Sequence, residues 1–188
     1  NVGFDTIYHE HRNYFSENSL RKLFSKYKIK IIKIEKINYM AGSLRVYAQR
    51  KLSKNLHIKT KIFGIKKIIQ FEKNMIIIKN RINNFIHKMK GQNRIIAGVG
   101  AATKGNTLLN YCNLTSKHID FILDKSKLKI GKYTPGSCIK IVDEDRYKNF
   151  QALIILPWNI SNFLIKKFVK KTRKPYISVQ NIVKKLKK

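Results

Sequence analysis

A short apolar run that ends in glycines and passes straight into a helix pattern is the feature that most constrains this chain. Ile95 to Val99 is followed by Gly100, Thr103, Lys104 and Gly105, and then by Leu108, Leu109 and Tyr111 at helical spacing. The pattern predicts strand, tight turn and helix, with Lys104 where the helix begins. Such a turn presents backbone N–H groups and the positive end of a helix dipole, which together suit an anion. Glycine lets the backbone come close to a ligand. Gly98-x-Gly100 continues to Thr103 and Gly105, so it is neither the GxGxxG of a dinucleotide site nor a P-loop. The stretch reads as a phosphate-binding turn or as a plain connection between strand and helix.

The rest of the chain supplies company for that unit. Ser16 can cap a helix carrying Leu20, Leu23, Phe24 and Tyr27. Ile29, Ile31, Ile32 and Ile34 predict a buried strand, and the alternation of Leu44, Val46 and Ala48 with Arg45, Tyr47 and Gln49 a second one. Helix, strand, turn and strand are too few elements to bury their own faces, so residues 1–52 read as the end of a larger sheet domain. Residues 53–91 read as a polar, basic linker and a long packing helix, its stripe Phe71, Met75, Ile78, Ile82, Phe85 and Met89 stopped at Gly91.

From Gln92 on, strands and helices alternate. Strands are predicted at Arg94–Gly100, Ile119–Leu123, Ile139–Val142, Ala152–Leu156 and Tyr176–Val179. A loop covers Lys125 to Ser137, helices Lys104–Cys112 and the segment with Phe163, Leu164, Phe168 and Val169, and a lysine-rich tail ends the chain. Asn159 or Ser161 can cap the later helix. This alternation predicts an α/β domain over residues 92–188, a mostly parallel sheet with helices on both faces. Ligands of such sheets collect beyond the carboxyl ends of the strands, where Gly98–Gly105, Asp124 and Pro157-Trp158-Asn159 fall.

Composition narrows the class of partner. The 43% hydrophobic content suffices for a core, and no stretch reads as a membrane span or signal peptide. Cys112 and Cys138 lack the spacing of a metal site, and two lone cysteines fit a reducing cytoplasm. The chain opens on Asn1 in an ordered-looking segment, which suggests that a longer sequence precedes it. A formal net charge of +31 would ordinarily point to nucleic acid. Here lysines are scattered through every segment and travel with Ile and Asn, which A/T-rich codons favour, so a solvated lysine surface explains most of the charge. RNA binding stays open as an alternative.

Tyr8, His9, Glu10 and His11 concentrate groups able to exchange protons. A histidine can act as general base near neutral pH, with a neighbouring Glu or Tyr orienting it or stabilising an oxyanion. The spacing excludes HExxH zinc chelation. The bland alternative is a polar loop bonded to the backbone. Asp124, after a strand, sits where Rossmann-like domains place an acid on a ribose hydroxyl. Trp158 could stack on a base or cover the core.

These residues resemble a known family. Phe4 to His11, Tyr14-Phe15-Ser16 and Gly42-Ser43-Leu44-Arg45-Val46-Tyr47 are similar to the C-methyltransferases acting on nucleotide-linked deoxysugars. So are Gly100 to Cys112, Ile119-Asp120-Phe121, Asp124, Gly131 to Gly136 and Leu156-Pro157-Trp158-Asn159. The family's loop often reads Ile-Pro-Ile where this chain has Ile139-Lys140-Ile141. The resemblance implies a zinc-binding N-terminal region and an S-adenosylmethionine domain upstream. Residues 1–52 would be the end of that class I methyltransferase domain, and 92–188 a Rossmann-like domain for a nucleotide-diphosphate sugar. This fragment would lack the methyl-donor loops and be inactive alone.

The same resemblance implies that a base removes the proton beside the keto group of an NDP-4-keto-deoxysugar, and the enolate carbon takes the methyl group. His11 would be that base, Tyr8 would lie at the enolate oxygen, and Glu10 would orient the site. Gly98, Gly100, Ala101, Lys104, Gly105, Asn106 and Asp124 would hold the nucleotide diphosphate, with Tyr133, Pro157, Trp158 and Asn159 also contributing to the substrate site. Two other readings remain: a non-catalytic nucleotide-sugar-binding module and a basic RNA-binding protein. A nicotinamide-dependent enzyme is disfavoured by Thr103, where a third glycine or alanine is expected.

Overall fold

The computed structural model describes residues 7, 8, 10–37, 39, 42–50, 64–170 and 173–186. The chain divides into two compact units, one of His9–Gln70 and one of Phe71–Lys188, with Ile7 and Tyr8 grouped with the second.

In the first unit, α1 (Glu17–Lys26) precedes an antiparallel pair, β1 (Ile29–Ile37) and β2 (Ser43–Arg50). Ser16 caps α1 as expected. Its Oγ accepts from the Ser19 N–H at 3.2 Å, and its own N–H donates to Ser19 Oγ at 2.8 Å. This reciprocal pair satisfies two otherwise orphaned groups. The expectation of a buried first strand is not met. None of Ile29, Ile31, Ile32 and Ile34 is buried, and Ile32 is 63% exposed. The pairing register shifts between Ile31 and Lys33, leaving Ile32 as the extra residue of a bulge. Among the described residues, one short helix, α1, packs against β1 and covers only part of one face.

The second unit is built on a five-stranded sheet, every pairing parallel. Its strands are β3 (Ile96–Val99), β4 (Phe121–Asp124), β5 (Ile141–Asp143), β6 (Ala152–Ile155) and β7 (Tyr176–Ser178), in spatial order β5-β4-β3-β6-β7. The chain winds outward one way from β3 through β4 to β5, then returns to the other side of β3 with β6 and β7. The order reverses between β3 and β6.

Alternation along the strands makes two cores, one on each face. One gathers Ile96, Ile122, Ile141 and Ile154 against α2 (Ile65–Lys90), α3 (Thr103–Tyr111) and α5 (Val179–Leu186). The other gathers Ala97, Val99, Leu123, Val142, Leu153 and Ile155 against Leu164, Phe168 and Val169. These last belong to α4 (Ser161–Leu164) and the π-helical turn that continues it through Val169. The fold is therefore the expected α/β arrangement, Rossmann-like, with a long helix leading into it.

The long helix presents Met75, Ile78, Ile82, Ile86 and Met89 to the core, with Phe71 and Phe85 packed at the margin. It ends at Lys90, before Gly91, and the left-handed residue that turns the chain is Asn93, φ 52°. Three details differ from the sequence reading. The lysine-rich tail holds a helix, α5, because Val179 and Ile182 recur on one face and bury there. Phe163, one of the apolar residues that predict the later helix, does not join the core and is 65% exposed. Neither proposed residue caps α4: Ser161 is buried inside it, its hydroxyl donating to Gln180 Oε1 of α5.

Candidate functional site

At the carboxyl ends of β3 and β6, where strand order reverses, an α/β sheet opens its ligand crevice. β3 runs into Gly100, Ala101 and Ala102, and β6 runs through Leu156 into Pro157, Trp158 and Asn159. Gly100 is required by its backbone and by its neighbour. Its φ is +87°, and a Cβ there would lie 2.6 Å from Pro157 Cγ.

The other two glycines serve packing. A Cβ on Gly98 would lie 2.3 Å from Ile122 Cδ1, and one on Gly105 would lie 2.7 Å from Leu156 Cβ. Both residues are buried, and their missing side chains let Ile122 of β4 and Leu156, just after β6, press onto β3 and α3.

Two aspartates, Asp120 just before β4 and Asp124 at its end, fasten the neighbouring strand at its ends. Asp120 Oδ2 accepts from the Ile96 N–H at 2.7 Å where β3 begins, and also from Lys90 Nζ at 2.7 Å. Asp124 Oδ2 accepts from the Ala101 N–H at 2.7 Å just beyond the end of β3, while its Oδ1 accepts from the Ser126 N–H at 2.8 Å. The Gly100 N–H donates to the Leu123 carbonyl at 2.8 Å, and Lys129 Nζ donates to the Ala101 carbonyl at 2.8 Å. Asp124, the acid expected near a ribose, thus holds the turn with its carboxylate.

α3 begins without a capping side chain. Ala102 occupies the cap position, and the first turn carries no acidic residue. The N–H groups of Thr103, Lys104 and Gly105 therefore form the positive end of the helix. Lys104 Nζ lies 5.9 Å from the centroid of the half-buried Trp158 ring, within cation–π range. Trp158 also packs against the first core. Asn106 Oδ1 is buried and has no hydrogen-bond donor among the described residues.

Asn159 is exposed. Tyr133, 61% exposed, lies on the loop between β4 and β5, where it bridges to Lys140. That loop is tied to α3 through Asn110, whose Nδ2 donates to the carbonyls of Asn106 (2.9 Å) and Pro135 (3.1 Å).

The YHEH stretch falls where the two units divide. Tyr8 is half-buried and groups with the second unit; Glu10 and His11 are exposed and group with the first, and His9 lies outside the described residues. The His11 ring meets Tyr14 edge-on, with centroids 6.3 Å apart.

Cys112 is buried, and that burial pushes its thiol up to about 12, whereas Cys138 is exposed. Among the described residues no group of three or more His, Cys, Asp or Glu side chains could hold a metal ion, and no helix is long and apolar enough to cross a membrane.

Sequence reasoning singled out most of what meets at this edge but passed over Lys129. Nothing in the run Lys125, Lys127, Lys129 and Lys132 marks one lysine from the rest. Only the fold shows that Lys129 is partly buried and turned back to Ala101, while the other three are exposed.

Residues 38–174 match the family model described as the C-methyltransferase C-terminal domain. The chain is also similar to the C-methyltransferase NovU of Streptomyces niveus, at 29% identity in an alignment 178 residues long that covers 88% of this chain and 42% of that protein. It spans about two-fifths of that relative's length. With the family's domain matched over more than half of the chain, on a sheet of the kind its motifs imply, the chain belongs to the C-methyltransferase C-terminal domain family.

Proposed function

We propose that this chain is the nucleotide-sugar-holding part of an S-adenosylmethionine-dependent C-methyltransferase, acting beside the keto group of an NDP-4-keto-deoxysugar. The observation that carries the reading is the uncapped start of α3 at the reversal of strand order, beside Lys104 and Trp158. Its N–H groups and dipole favour the diphosphate. Gly100 and Ala101 shape the turn, Gly98 and Gly105 let it pack, and Asp124 holds it. Asn106 Oδ1, buried and lacking a donor among the described residues, can accept a hydroxyl or amide hydrogen from the ligand. Pro157, Trp158, Asn159 and Tyr133 border the nucleoside side.

The positive turn suits a diphosphate better than a sulfonium cation, so the methyl donor is assigned to a region upstream of residues 1–52, as is the zinc that the family resemblance implies. S-adenosylmethionine, when bound there, supplies an electrophilic methyl group. His11 removes the proton beside the keto group, Tyr8 donates to the enolate oxygen, and Glu10 orients the site. Residues 1–52 then close the methyltransferase domain, 53–91 lead out of it, and 92–188 hold the substrate in the cytoplasm.

Calorimetric titration of the chain with a nucleoside diphosphate tests the reading. Micromolar binding, with the parent nucleoside much weaker, is the expected result. Equal affinity for nucleoside and nucleoside diphosphate would overturn it. Preference for RNA, falling steeply with salt, would favour the nucleic-acid reading.

A further inference from the structure

We infer that Lys129, on the loop after β4, is a second phosphate-contacting residue of the proposed site, held ready by the turn it touches. The inference rests on the diphosphate reading given above.

One peptide group, that of Ala101, is gripped on both sides. Its N–H donates to Asp124 Oδ2 at 2.7 Å and its carbonyl accepts from Lys129 Nζ at 2.8 Å. The lysine is delivered there by a local turn. The Lys129 and Ile130 N–H groups both donate to the Ser126 carbonyl, at 2.9 and 3.0 Å, and the Ser126 N–H is itself fixed by Asp124 Oδ1. A single carboxylate therefore positions both the glycine turn and the segment that carries the lysine. The bond spans 28 residues of sequence, so it depends on the fold and not on local chain geometry.

An ammonium has three donors, and the Ala101 carbonyl occupies one of them. The others lie beside the residue that immediately precedes the cap of α3. Lys104 approaches the same helix start from inside α3 and lies toward Trp158. The two lysines reach the turn from different elements, so a diphosphate seated on the α3 N–H groups would meet one ammonium from each. Lys125, by contrast, pairs with Glu144 at 3.5 Å, alongside Lys167. The loop's basic character thus separates into one lysine at the turn and another engaged with a buried carboxylate.

The test compares Lys129→Gln with Lys129→Arg in the whole chain, titrated with a nucleoside diphosphate and with the parent nucleoside. Glutamine keeps a donor for the Ala101 carbonyl but removes the charge; arginine keeps both. Loss of a charge-assisted bond predicts about tenfold or more weaker diphosphate binding for Lys129→Gln, unchanged nucleoside binding, and near-normal affinity for Lys129→Arg. Diphosphate binding by Lys129→Gln equal to that of the unaltered chain would overturn the inference while leaving the site reading intact. Equal weakening of diphosphate and nucleoside would show that Lys129 only braces the turn, which also overturns it. If the unaltered chain itself fails to prefer the diphosphate, the site reading fails, and the inference with it.

Discussion

β1 and β6 are both rich in branched apolar residues, yet they meet opposite fates. Ala152 to Ile155 are all buried in the middle of a sheet with helices on both sides. Ile29 to Ile37 pair with one other strand, and no described residue of that strand is buried. Composition does not separate the two, but the number of covering layers does. A parallel sheet hides both faces, so each strand can be apolar at every position. A hairpin with one helix hides parts of one face only. The proposed roles divide along the same line, with diphosphate binding assigned to the layered unit and His11 to the thinly covered one.

The sharpest test of that division concerns turnover. In a protein carrying this chain together with its methyl-donor region, His11→Ala should lower kcat by about 10²–10⁴-fold, while nucleoside diphosphate affinity stays within about threefold. Near-full turnover in steady-state assays would remove the chemistry from the first unit.

Next in size is the contrast in packing. Ile154→Ala should cost about 2–5 kcal/mol by chemical denaturation, since Ile154 is 1% exposed between two neighbouring strands. Ile32→Ala, at the bulge, should stay within about 0.5 kcal/mol. Comparable losses at both positions would mean that the hairpin is as well covered as the sheet.

Gly98→Ala follows, with an expected cost of about 1–3 kcal/mol, because the added methyl must displace the Ile122 side chain inside the core. An unchanged denaturation midpoint would show that Ile122 yields freely.

The smallest effect belongs to Cys112. Its folded pKa is raised to about 12 from an ordinary value near 9. The thiolate therefore forms more readily in the unfolded chain, which binds fewer protons as the pH rises. The thiol's contribution to stability is complete below about pH 9 and is lost as pH climbs toward 12. Midpoints measured at pH 8 and pH 10 should fall more for the unaltered chain than for Cys112→Ala. At pH 8 a maleimide should label Cys138 in the native protein and leave Cys112 unmodified until unfolding.

The sequence makes the layered unit legible because its periodicities are unmixed. Short apolar strands and a helical stripe at Met75, Ile78 and Ile82 each admit a single reading. Failures arise where charge density masks a pattern or where the fold alone assigns a partner. Val179 and Ile182 form a helical face, but the surrounding lysines read as a tail. Ile32 looks like core because a bulge is invisible in composition. At Gly98 and Gly105 the sequence gives no sign that Ile122 and Leu156, residues distant in the chain, press where a side chain would be. Lys129 could not be told from its neighbours until a loop turn brought it to Ala101.

The position of β3 between β4 and β6 also sets a clock. β4 follows it closely in the chain, but the partner on its other edge arrives much later: Gln151, whose side chain bonds the Ile95 N–H just before β6, lies 56 residues away. At ribosomal speeds of roughly 5–20 residues per second, one edge of the central strand waits about 3–11 s for β6 to be made. During that interval a nascent chain exposes an apolar strand able to pair with another chain. The charges just upstream, Lys88, Lys90 and Arg94, stand where they can discourage such pairing until the sheet is complete.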